Sequence, residues 1–236
     1  MKTETNRRFI WTAVALFAVA FAWVESAVVF YLRTHVDRLE PYQANPLPLI
    51  GDLGPVELVR ELATMIMLLT VGMLAGKTWR ARMAYTALAF GLWDIFYYVF
   101  LKVMYGWPRS LLDWDILFLI PLPWWGPVLA PVLIASLMVL WGTFVTQFEH
   151  TPPPGLSNVR VWLLAFIGMA IALYVFMVDA LRVADQSVAV ISQVLPTQFN
   201  WMLFLVALTL MAAPVIRELP VRCRRQEIVS GALEMP

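Results

Sequence analysis

The chain is predicted to be an all-α integral membrane protein of six transmembrane helices, arranged as three hairpins. Three observations lead there. Of its 236 residues, 61% are hydrophobic and only 14% charged, against about 25% charged in soluble domains. The mean hydropathy is +0.74. Apolar runs of about 20 residues recur along the sequence, the length needed to cross a bilayer core. The whole chain, 1–236, reads as one polytopic domain.

The first span covers about 9–32. MKTETNRR followed by an apolar stretch resembles a signal peptide, and Ala18-Val19-Ala20 offers small residues for cleavage. The run continues to Leu32, however, which suits an uncleaved spanning helix. A long loop follows, punctuated by Pro41, Pro46, Pro48, Gly51, Gly54 and Pro55. Spans two and three cover about 57–76 and 81–104, joined by a tight basic turn from Lys77 to Arg82. Gly72 and Gly76 form a G-xxx-G pair on span two, a signal of close helix approach.

Between spans three and four lies SLLDWDILFLIPLPWW, 110–125. It is too short and interrupted to span. With Asp113, Asp115, Pro121, Pro123 and three Trp, 110–122 is expected to be an interfacial helix or re-entrant stretch, its Trp at headgroup level. Span four is expected over about 124–147, and Pro152-Pro153-Pro154-Gly155 breaks the chain before span five, about 158–181. Pro196 precedes span six, about 197–216, and a basic tail occupies 217–236.

Lys and Arg set the orientation. With the N-terminus in the cytoplasm, the inner side holds Lys2, Arg7, Arg8, Lys77, Arg80, Arg82, Arg160, Arg217, Arg222, Arg224 and Arg225. The outer loops hold only Arg33, Arg38, Lys102, Arg109 and Arg182. Both termini are therefore expected inside a bacterial cytoplasmic membrane. Of the 16 acids only Glu4, Glu149, Glu218, Glu227 and Glu234 fall on the inner side. The rest lie in outer loops or the outer halves of helices.

Two acids sit within apolar runs. Glu25 and Asp94 each precede by eight residues a basic residue, Arg33 and Lys102, that ends the run. At about 1.5 Å per residue, both lie about 12 Å inside their helices. An isolated charge there costs about 2.5 kcal/mol or more, so each needs a partner, a proton or a wet cavity. The two segments align without a gap, FAWVESAVVFYLR at 21–33 and FGLWDIFYYVFLK at 90–102. The entrances GPVELVRELATMIMLL from Gly54 and GPVLAPVLIASLMVL from Gly126 also align. A duplicated hairpin and composition alone are both compatible with this likeness.

Span two opens with Glu57, Arg60, Glu61 and Thr64, one stripe of a helix at i, i+3, i+4 and i+7. Arg60 can balance Glu57, but not easily Glu25, Glu61 and Asp94 as well. Tyr97 and Tyr98 lie where a phenol could cover Asp94. Glu25, Glu57, Arg60, Glu61, Asp94, Tyr97 and Tyr98 are thus the candidates for a ligand or ion site. Thr64, Tyr174, Asp179 and Asn200 are secondary candidates. Two readings compete: a buried network that fixes helix registry, and a site for a proton, a cation or a small polar ligand.

Other residues carry less. His35 and His150 lie in different loops, which disfavours bis-His haem or copper sites. Cys223 is the single cysteine, so no intrachain disulfide or Cys-based metal site is expected. Met65, Met67 and Met73 are expected to pack between helices. No metal or cofactor is expected, and the net charge of +1 gives no case for nucleic acid. Walker, Gly-x-Ser-x-Gly and His-Glu-x-x-His patterns are absent from the sequence.

Three functions stay open. One is binding or transport of a proton, cation or small polar ligand. Another is a non-catalytic accessory subunit of a larger membrane complex. The third is a membrane-embedded enzyme using a protonated carboxylic acid on a lipid or isoprenoid. The general size and acid-in-helix pattern are similar to small integral-membrane terpene cyclases, which would imply proton-initiated cyclisation. No motif carries that likeness residue by residue. The expected partners are membrane lipids, a second copy of the chain or a larger membrane complex.

Overall fold

The structure, a computed structural model, describes residues 2–36, 40–43, 53–148, 158–187, 191 and 194–218. In chain order these form α1 (Lys2–His35), α2 (Leu53–Ala75), α3 (Trp79–Tyr105), β1 (Trp114–Phe118), β2 (Trp124–Pro127), α4 (Leu129–Gln147), α5 (Asn158–Leu181) and α6 (Trp201–Met211). After a turn at Ala212, helix continues to Glu218. Six helices, the last counted as Trp201–Glu218, are long and apolar enough to cross a membrane. Large apolar side chains stay exposed around the bundle, among them Leu62, Ile66, Phe166, Met202 and Val206. Such a surface suits a lipid surround. Met65 and Met67 belong to it, at 40% and 43% exposure, rather than packing between helices as expected.

Local signals set the helix ends. Thr78 caps α3 by accepting from the Ala81 N–H at 3.2 Å. Gly106 ends it in the left-handed region, φ 80°, donating its N–H to the Lys102 carbonyl at 3.0 Å. Only glycine adopts that conformation without strain. Asn200 caps α6 through the Leu203 N–H.

Helix α3 is the hub, with α1, α2 and α4 packed around it, while α5 and α6 form a second pair. The first expected hairpin is therefore loose, because α2 leans on α3 and touches α1 only sparsely. Small residues allow the close approaches: Ala18 and Ala22 of α1 and Ala84 and Ala89 of α3 are fully buried. The G-xxx-G pair acts as its spacing predicts. A Cβ on Gly72 would overlap Thr86 of α3, and one on Gly76 would overlap the backbone at Arg82.

The segment between α3 and α4 departs from expectation. It is an antiparallel β-hairpin, with Trp114 opposite Pro127, Asp115 opposite Gly126, Ile116 opposite Trp125 and Phe118 opposite Trp124. An irregularity lies between Ile116 and Phe118. The peptide bonds before Pro108 and Pro121 are cis. Residues 124–127, expected to open span four, form β2, so α4 begins at Leu129. Two of its three Trp side chains turn inward: Trp125 is 5% exposed, and Trp124 stacks on Phe176 of α5 with ring centroids 6.4 Å apart.

Candidate functional site

The polar stripes of three helices meet in one half of the bundle. The second half of α1 brings Glu25 and Arg33, the first turns of α2 bring Glu57, Arg60, Glu61 and Thr64, and the second half of α3 brings Asp94, Tyr97 and Tyr98. All nine line a cavity of about 330 Å³. The seven primary sequence candidates and Thr64 are thus brought together. Tyr174, Asp179 and Asn200 are not among the lining residues. Tyr174 is 51% exposed. Asp179 holds the α5–α6 connection, binding Arg182 at 2.8 Å and accepting from the Thr197 N–H and hydroxyl. Asn200 is the helix cap already described.

Within the cavity most charges have partners. Arg60 forms ion pairs with both Glu57 and Glu25, one turn and one helix away. Glu25 also accepts from the Thr64 hydroxyl at 3.2 Å. Glu61 accepts the Leu119 N–H with both oxygens, at 3.1 and 3.0 Å, tying α2 to the residue after β1. Arg60 therefore pairs with two carboxylates, where the sequence spacing suggested one, and Glu61 is held by a backbone donor instead of an ion pair.

Asp94 differs. It is 8% exposed, and its Oδ2 is buried with no hydrogen-bond partner among the described residues. Neither Tyr97 nor Tyr98, the phenols expected to cover it, hydrogen-bonds its Oδ2. Trp93 and Tyr97 flank Asp94 in the chain, their rings stacked 6.2 Å apart. Glu25 and Asp94 share a cavity, but their surroundings are unlike. The ends of the two look-alike segments differ too. Arg33 is buried against Asp115, whereas Lys102 donates to the carbonyls of Gly106 and Pro108. The aligned entrances also diverge, with Gly54 inside a helix and Gly126 inside a strand.

Sequence reasoning missed the Arg33–Asp115 pair. Arg33 reads as the basic end of a span, yet it is 5% exposed and donates to Asp115 at 2.8 Å and to the Tyr105 hydroxyl at 2.6 Å. Its guanidinium also lies 4.6 Å from the Trp107 ring centre, a cation–π contact. Burial pushes the Asp115 carboxyl above its ordinary range, against the opposing pull of Arg33, the Ile116 N–H and the Tyr98 phenol. One signal existed: Glu25, Val29 and Arg33 fall at i, i+4 and i+8, a single helix face.

The far wall is apolar. Phe90, Phe118, Trp124, Met138, Leu173 and Phe176 line it. Ring contacts run continuously along it, from Tyr97 through Trp93 and Phe90 to Phe118, Trp124 and Phe176. The cavity therefore has a charged end and a hydrocarbon end, and its volume is near the small limit of about 300 Å³ for ligand pockets.

Among family models, curated proteins and solved structures, none matches this chain.

Proposed function

We propose that this polytopic membrane protein binds a small ligand or a proton in the carboxylate-rich cavity between α1, α2, α3 and the β-hairpin, as part of binding or transport. The observation that carries the reading is the Asp94 carboxylate, whose buried Oδ2 has no hydrogen-bond partner among the described residues, in a cavity where Glu25 and Glu57 pair with Arg60 and Glu61 accepts a backbone N–H. A buried carboxylate without a partner is costly. A bound proton or ligand group would supply what the protein does not. In the proposed orientation both termini are cytoplasmic and the cavity opens toward the outer side of a bacterial cytoplasmic membrane, in keeping with the Lys and Arg bias.

A second reading is supported by the aromatic wall. Rings beside a carboxylic acid can steady a developing cation, so acid catalysis on a lipid or isoprenoid bound here is the alternative. Both readings require Asp94 to face a ligand.

The test is a thermal-shift panel of cationic, anionic and neutral small amphiphiles on the full-length protein in lipid nanodiscs. Some members should raise the melting temperature of the wild type, and that shift should vanish in Asp94→Asn. A panel without any stabilising member, or shifts that survive in the variant, would contradict the reading.

A further inference from the structure

We infer that the ligand of this cavity is a lipophilic ammonium ion, its charged nitrogen beside Asp94 and its hydrocarbon body along the Phe118–Trp124–Phe176 wall. This rests on the ligand-binding reading above and adds the chemical class.

The sign of the charge follows from which groups are already engaged. Four carboxylates and two guanidiniums line the cavity, so it is short of positive charge. Both guanidiniums are occupied. Arg33 gives its two terminal nitrogens to Tyr105 and Asp115. Arg60 gives Nε and Nη2 to Glu57 and pairs through Nη1 with Glu25. A carboxylate or phosphate ligand would have to share these guanidiniums with the carboxylates they already neutralise, adding negative charge to a cavity already short of positive charge. An ammonium breaks nothing and finds the Asp94 Oδ2 unpartnered.

The kind of cation follows from the other walls. Among the described residues no three His, Cys, Asp or Glu side chains gather as a metal site. A small hydrated metal ion would also leave the apolar end unfilled. An organic cation uses both ends. Trp93 and Tyr97 line the same cavity as Asp94, and aromatic rings with a carboxylate are a recurrent surround for ammonium groups. The remaining wall of Phe118, Trp124, Leu173 and Phe176 offers only apolar contact and one indole N–H, which suits a hydrocarbon chain or ring system.

The experiment compares three probes of one chain length, n-decylamine, n-decanol and sodium decanoate. Each is titrated into full-length protein in phosphatidylcholine nanodiscs at pH 7, with saturable change in tryptophan emission as the readout. Decylamine should bind roughly tenfold or more tightly than decanol, and decanoate weakest. Asp94→Asn should remove the preference for the amine and leave decanol binding in place. If decanol and decylamine bind wild type equally, the ammonium assignment fails while the cavity stands as a ligand site. If decanoate binds best, the assignment fails outright. If no probe gives a saturable change, both the assignment and the ligand-binding reading fail. The wild-type comparison decides these outcomes even where the variant does not fold.

Discussion

A single guanidinium separates the roles of the two intramembrane acids. Arg60 reaches Glu57 on its own helix and Glu25 across to α1, and Thr64 completes the shell around Glu25. Removing one partner from a buried ion pair is far more damaging than replacing the whole set, because it strands the remaining charges. Arg60→Met should therefore destabilise the protein by about 3 kcal/mol. The triple variant Arg60→Met, Glu25→Gln, Glu57→Gln should recover most of that loss, since no charge is stranded. Denaturant unfolding in micelles measures both. A triple variant as unstable as the single one would mean that Arg60 acts through packing rather than charge.

At the scale of elements, the β-hairpin is the part that closes one side of the cavity, and two carboxylates fasten it. Asp115 ties β1 to α1 through Arg33, and Glu61 ties Leu119 to α2. Asp115→Asn leaves the Arg33 charge buried without its counterion. Hydrogen exchange across 114–127 should then rise by roughly tenfold or more, while α4 and α5 keep their protection. Unchanged exchange would show that strand pairing and the Trp124–Phe176 stack suffice. The hairpin was also the element least visible in the sequence. Its strands have five and four residues, their alternation is broken by an irregularity, and Pro121 and Pro123 sit in the connection. Those features equally describe an interfacial stretch. The long helices were legible because about 20 apolar residues have few alternatives. The converging acids were legible because a charge in such a run demands a partner. Arg33–Asp115 was not, since the pair is 82 residues apart in the chain and neither residue's local pattern names the other.

For the whole molecule, α3 organises the fold by holding α1, α2 and α4, and the cavity lies where their polar faces meet the hairpin and α5. The fold then contains two buried carboxylates on one cavity with opposite consequences. Glu25 is satisfied from within the protein, so it contributes to holding the helices in register. Asp94 is not, so its buried carboxyl costs stability instead of adding to it. The most direct measurement is the unfolding free energy of Glu25→Gln beside that of Asp94→Asn, on purified full-length protein without added ligand. Glu25→Gln should lose about 1–3 kcal/mol, the cost of unpairing a buried charged partner. Asp94→Asn should be as stable as the wild type or more so. Equal losses in the two variants would contradict the distinction and make the whole cluster a structural network.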